Sequence, residues 1–252
     1  MYYERKPRTE DGERIYAIGD VHGCYDEMIE LLDLIAQDDA KRAGVAKKTI
    51  LFLGDLIDRG PDSAKVVDYL VDLVEDYDNI FVLMGNHEQA FLEIAKGRIE
   101  LVDDWLRMGG RRTLRSYGID PDWAARNGAA LPMRMQEEIP RRHLKWLSRL
   151  PFCARSASYF FCHAGVRPGV PLKDQKQHDL LWIREDFISH KGGHEAVIVH
   201  GHNIEPDVLI SPARIGVDTG AYKTGRLSAV MLEGTAVHTI STAARASDRR
   251  HR

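Results

Sequence analysis

Covalent cross-linking is nearly absent from this chain: its 252 residues include only 3 cysteines, an odd count that argues against a disulfide framework. Cys24, Cys153 and Cys162 are expected to be small, mostly buried residues in a reducing cytoplasm. No apolar run approaches bilayer length, and the opening stretch from Met1 to Lys6 is charged, so neither a membrane span nor an export segment is expected. A charge excess of one sign is also missing. With 35 Lys and Arg against 38 Asp and Glu, the net charge of -3 gives no electrostatic case for a nucleic-acid partner or a membrane surface. Internal repeats, low-complexity tracts and long linkers are lacking too, which points to a single domain over residues 1–252.

What the chain does have is a set of short polar phrases, each closing an apolar run. They are Gly19-Asp20-Val21-His22-Gly23, Gly54-Asp55-Leu56-Ile57-Asp58-Arg59-Gly60, Gly85-Asn86-His87-Glu88, Cys162-His163-Ala164-Gly165, His200-Gly201-His202-Asn203 and Val217-Asp218-Thr219-Gly220. The runs before them, Ile15 to Ile18, Ile50 to Leu53, Ile80 to Met84, Tyr159 to Phe161 and Ala196 to Val199, read as buried strands. Met28, Leu31, Leu32 and Ile35, and then Val67, Leu70, Val71 and Val74, recur at helical spacing between the first three runs. The order β-α-β-α-β predicts a parallel sheet whose carboxyl edge carries the site. After Arg214, three short runs, Ile215 to Val217, Ala229 to Leu232 and Val237 to Ile240, read as an antiparallel meander. Residues 97–150, with Gly97, Gly109-Gly110, Gly118 and Gly128, read as an insertion over the site that ends in a helix from Pro140 to Leu150. Residues 243–252 are small, polar and basic, and are expected to be frayed.

The residue types at the strand ends suit a two-metal centre. Two cations held close together need a ligand that reaches both, and a carboxylate has two oxygens where a neutral imidazole has one lone pair. Asp55 is the natural bridge, Asp20 and His22 can converge on one metal, and Asn86, His163 and His202 can surround the other. An oxygen and nitrogen ligand set without thiolate favours manganese, iron or zinc.

These phrases, in this order, resemble the calcineurin-like metallophosphoesterases, in particular the phosphoprotein phosphatase branch that includes bacterial and bacteriophage serine/threonine phosphatases. The resemblance spans roughly residues 15 to 220. It implies an α/β fold with a central mixed β-sandwich flanked by helices. It also implies a first metal held by Asp20, His22 and Asp55 and a second held by Asp55, Asn86, His163 and His202. Arg59 and Arg184 would clamp the phosphate, with His87 as general acid and Asp58 as the carboxylate that orients it. A metal-bridging hydroxide would attack phosphorus in line, and the substrate would be a phosphorylated protein or small molecule, phosphoserine or phosphothreonine first and phosphotyrosine second.

Alternatives stand beside this reading. Dinucleoside tetraphosphate hydrolases share nearly the same metal residues, and a noncatalytic phosphate-binding module is the different-class reading. Superfamily nucleases usually carry Gly-His-x-His, whereas Gly201-His202-Asn203 is followed here by Ile204. His200 reads at least equally well as a hydrogen-bonded structural histidine, and Asp218 and Tyr222 read as supporting residues. The other histidines, His143 among them, read as surface or loop residues, while the glycines and arginines of Arg107 to Arg112 fit either a phosphate approach or a solvated helix end.

Overall fold

In the computed structural model of the protein, residues 6–45 and 47–244 are described. Strand β1 (Glu13–Ile18) is buried along its whole length, which explains its unbroken apolar reading. It runs parallel to β2 (Lys47–Phe52), and β2 runs parallel to β3 (Ile80–Val82). Helices α1 (Tyr25–Ala40) and α2 (Ser63–Asp76) make the two crossovers. The predicted β-α-β-α-β half is therefore present. The third strand is shorter than expected: Leu83 still donates to the Phe52 carbonyl of β2, but Met84 turns away to the Pro151 carbonyl.

A second sheet contains β4 (Cys153–Ser156), β5 (Tyr159–Cys162), β6 (Val197–His200), β7 (Leu209–Ile210) and β8 (Arg214–Gly216), ordered β4-β5-β6-β8-β7. The antiparallel meander expected after Arg214 is a misreading. Strand β8 pairs parallel with β6 in this second sheet, while β9 (Ser228–Glu233) and β10 (Ala236–Ser241) form a hairpin that joins the first sheet beside β1. The cause lies in the intervening turn. Gly225, with φ 66°, caps the short helix Ala221–Thr224 instead of closing a hairpin, and the chain crosses between sheets there.

Period-two alternation assigns the two faces of each strand. Ile15 and Ala17 of β1, Leu51 of β2, Phe161 of β5 and Val199 of β6 fill the layer between the sheets. Tyr16 and Ile18 face the helices and pack with Met28, Leu31, Val67 and Leu70. On the far side, Phe160, Cys162 and Ile198 pack with Leu180 and Phe187. The result is the mixed β-sandwich flanked by helices that the family resemblance implies. Cys153 departs from expectation, because it is exposed on the edge strand β4.

Between β3 and β4 the chain is almost entirely helical, beginning with α3 (Asn86–Ala95) at the end of the Gly85-Asn86-His87-Glu88 phrase. The helix predicted near Pro140 covers Arg141–Leu147, with Pro140 just before its first turn. His143 lies on its inner face, buried rather than on the surface, against Tyr117 and Asp68. Of the tail expected to fray, residues 245–252 lie outside the described part of the chain.

Candidate active site

The topology brings one edge of each sheet together. Asp20 and His22 follow β1, Asp55 follows β2 and Asn86 follows β3, while His163 and His202 follow β5 and β6. Backbone strain is concentrated here. Of the six non-glycine residues with positive φ among the described residues, five are His22, Asp55, Asp58, Arg59 and His202. Each such conformation costs about 1 kcal/mol or more, so neighbouring contacts must hold it in place.

The main support is Glu88. Its buried carboxylate accepts hydrogen bonds from the backbone N–H groups of Asp55 (2.9 Å), Leu56 (2.8 Å), Ile57 (3.2 Å) and Gly85 (2.9 Å). Burial and the nearby Asp55 charge push its pKa up to about 7. Close backbone approach adds a second constraint, since a Cβ at Gly60 would fall on the His22 carbonyl oxygen.

Two groups of ligand atoms meet at Asp55. His22, Asp55 and His87 form one, and Asp55, His163 and His202 the other, with the ligand atoms of each within 4.8 Å of one another. His22 Nδ1 donates to the Ile57 carbonyl at 2.8 Å and His163 Nδ1 to the Leu53 carbonyl at 2.9 Å, which leaves both Nε2 lone pairs facing the centre. Around His163 Nε2 stand Asn86 Oδ1 at 2.9 Å, His202 Nδ1 at 3.2 Å and Asp55 Oδ2 at 3.3 Å. Asp20 lies at the rim of the first group, 3.9 Å from His22 Nε2, and also accepts the His202 backbone N–H.

Buried His22 Nε2 and His202 Nε2 have no hydrogen-bond partner, and His163 Nε2 faces His202 Nδ1 at 3.2 Å. Orphaned nitrogens beside converging carboxylates are what divalent cations would satisfy, so the residues present fit a two-metal centre. Electrostatics agree. Burial lowers His202 to about 2, whereas His163, despite burial, is raised to about 9 by the Asp55 charge. One proton between two facing imidazoles is the charge a cation would replace.

Beside this cluster, His87 Nδ1 and Asp58 Oδ2 are 2.6 Å apart, with both side chains fully buried. Burial opposes protonation of His87, but Asp55 and the Asp58 hydrogen bond raise its pKa above the usual value. Its Nε2 faces Arg59 Nη2 at 3.0 Å, the geometry of a neutral ring whose proton lies on Nδ1; departure of Arg59 toward an anion would free Nε2 for a proton. Arg59 also lies over the Tyr222 ring at 4.9 Å, and Tyr222 stands edge-on to His22. Arg184 is exposed, and its charge contributes to lowering His202; among the described residues it forms no ion pair.

Some functional residues are not apparent from the sequence. Asp58 accepts hydrogen bonds from Trp105 Nε1 at 2.8 Å and Thr113 Oγ1, and its own N–H donates to Thr113 Oγ1 and Ser63 Oγ. Arg59 donates to the Met108 and Gly109 carbonyls. The helical stretch after α3 therefore grips the Asp58-Arg59 turn, and its Arg107 and Arg111 are paired with Asp104 and Asp122. Glu88 offered one signal, as the charged last residue of the Gly85-Asn86-His87-Glu88 phrase; Trp105 and Thr113 offered none. His200 is structural: buried, it bonds Gly201 and Arg214 and is lowered to about 3 by burial. Asp218 is buried beside Asp20, with its Oδ1 bonded to Gly220.

Known proteins resemble this chain in sequence and in fold. Over 87% of this chain and 92% of the relative, the sequence is 25% identical to a symmetrical bis(5'-nucleosyl)-tetraphosphatase from Nitrosospira multiformis. A solved structure described as a candidate diadenosine tetraphosphatase matches with a TM-score of 0.62 at 21% identity, covering 94% of this chain and 97% of that one. A serine/threonine protein phosphatase from Saccharomyces cerevisiae matches in fold, with a TM-score of 0.58 at 16% identity over 95% of this chain and 82% of that one. The calcineurin-like phosphoesterase family model matches residues 13–228, the span that contains every candidate site residue described above. The chain belongs to that family and is a metal-dependent phosphoesterase.

Proposed function

We propose that this chain hydrolyses dinucleoside polyphosphates, with diadenosine tetraphosphate as the representative substrate and two divalent cations, manganese foremost, as cofactors. The observation that carries the reading is the extent of the match to the Nitrosospira multiformis tetraphosphatase, which covers 92% of that protein rather than its catalytic phrases alone. The phosphoprotein substrate expected from sequence has support only from likeness of fold, at 16% identity.

Asp20, His22 and Asp55 would hold one cation, and Asp55, Asn86, His163 and His202 the other. When bound, the cations would supply a water acidic enough to attack phosphorus near neutral pH and would offset charge on the phosphoryl oxygens. Arg59 and Arg184 bind those oxygens, and Arg59 leaves His87 Nε2 to do so. Freed from Arg59, Nε2 takes up a proton from solvent, and His87 passes that proton to the departing oxygen while Asp58 fixes the ring through Nδ1.

Turnover of manganese-loaded protein on diadenosine tetraphosphate and on a phosphoserine peptide tests the reading, and chromatography of the nucleotides shows which anhydride is cut. A kcat/KM at least about a hundredfold higher for the dinucleotide is expected, and a preference for the peptide would return the chain to the protein phosphatases.

A further inference from the structure

Next to the catalytic centre is a groove of about 800 Å³, a size suited to a small organic ligand. Its walls include Gln89 on α3, Trp105 and Met108 of the following helical stretch, and His178 and Trp182 on the helix Gln177–Trp182. We propose that this groove binds one nucleoside of the substrate, with its base stacked on the Trp182 and His178 rings. The inference rests on the dinucleotide reading above.

Three observations support this occupant. First, the two rings lie nearly parallel, at 18° with centroids 6.5 Å apart, and form an aromatic wall. Trp182 Nε1 donates to Gln89 Oε1 at 2.7 Å, so the indole is held in place before any ligand arrives, and the amide nitrogen of Gln89 is left to donate to a base or ribose. Second, the groove's two acids, Glu93 and Asp104, balance its two arginines, Arg98 and Arg107, and each of the four is ion-paired, Asp104 with Arg107, Glu93 with Lys96 and Arg98, and Arg98 with Glu100, which fits a neutral planar group better than a charged peptide segment. Third, both walls are tied to the phosphate site. Met108 accepts a hydrogen bond from Arg59 at 3.4 Å, Gln89 lies two residues beyond His87, and Arg184 lies two beyond Trp182. A phosphate held by Arg59 and Arg184 would thus lead its nucleoside into the groove.

Calorimetric titration of the manganese-loaded protein with ADP and with pyrophosphate isolates the nucleoside contribution, and comparing variants in one buffer cancels metal chelation by the ligands. The wild type is expected to bind ADP more tightly than pyrophosphate by about tenfold, a typical worth for one base stacked on an aromatic ring. Trp182→Ala should abolish that preference, and Trp182→Phe should keep most of it. If Trp182→Ala does not fold, His178→Ala carries the test, with an expected loss of about threefold. An ADP preference unchanged in Trp182→Ala, or in His178→Ala where Trp182→Ala does not fold, overturns the groove assignment even if diadenosine tetraphosphate is hydrolysed. Loss of the preference in a protein that does not hydrolyse the dinucleotide upholds the groove and refutes the substrate reading instead.

Discussion

At the scale of single residues, the buried His87 and Asp58 pair makes the sharpest prediction. An aryl phosphate releases a stable anion and needs little protonation, whereas a serine alkoxide needs a proton as it departs. His87→Asn is expected to slow hydrolysis of a phosphoserine peptide at least about tenfold more than that of p-nitrophenyl phosphate, with metal content retained. Equal losses on the two substrates in steady-state assays would remove His87 from the proton path. The sequence revealed His87, Asp58 and the six ligand candidates because they stand in short phrases between Gly turns and apolar strands. The role of Glu88 was not legible although it stands in one of the phrases, and Trp105 and Thr113 remained hidden, because their effect depends on which loop they reach; Trp105 lies 47 residues from Asp58.

At the scale of elements, the stretch following α3 has a job that no periodicity discloses. Trp105→Phe keeps an aromatic ring in the core but removes the donor to Asp58, so a buried carboxylate oxygen loses a bond worth about 1.5 kcal/mol or more. The expected result is a fall in kcat of about tenfold on phosphoserine peptide and a smaller fall on p-nitrophenyl phosphate, with KM little changed. A rise in KM alone would make Trp105 part of the binding groove only. Gly109 belongs to the same contact. Its φ is 127°, and a Cβ there would come within 2.7 Å of the Arg59 backbone nitrogen, so the helical stretch can reach the turn only through glycine. The parallel half of the first sheet was legible because its helices and strands alternate in the usual order. Strand β8 was misassigned because three short apolar runs look alike whether they share one sheet or divide between two; Ile215 pairs with Val199, whereas Ala229 pairs with Ile18.

For the molecule as a whole, protons and cations compete for one nitrogen. Burial disfavours charge on His163, yet Asp55 raises its pKa from 6.5 to about 9. A histidine raised in this way stabilises the metal-free fold below pH 6.5, and that contribution is lost as the pH climbs through about 9. A cation on the same nitrogen needs it deprotonated, so its hold tightens over the same interval. The difference in melting temperature between manganese-loaded and chelator-treated protein should therefore widen from pH 6.5 to pH 9. A difference that stays constant in calorimetry across that interval would show that His163 Nε2 is not shared between proton and metal.

Asp55 extends from the first sheet, and His163 and His202 from the second, with about a hundred residues of chain between Asp55 and His163. An ion held by all three would close that span and act as a removable rivet between the halves of the sandwich. Addition of manganese should slow amide hydrogen exchange in concert at His22, whose N–H reaches the Asp55 carbonyl, and at Gly201, whose N–H reaches the His163 carbonyl. The β9 and β10 hairpin lies on the opposite flank of the first sheet from β2 and should exchange as before. Slowing confined to one sheet would mean that the ion fastens only that half.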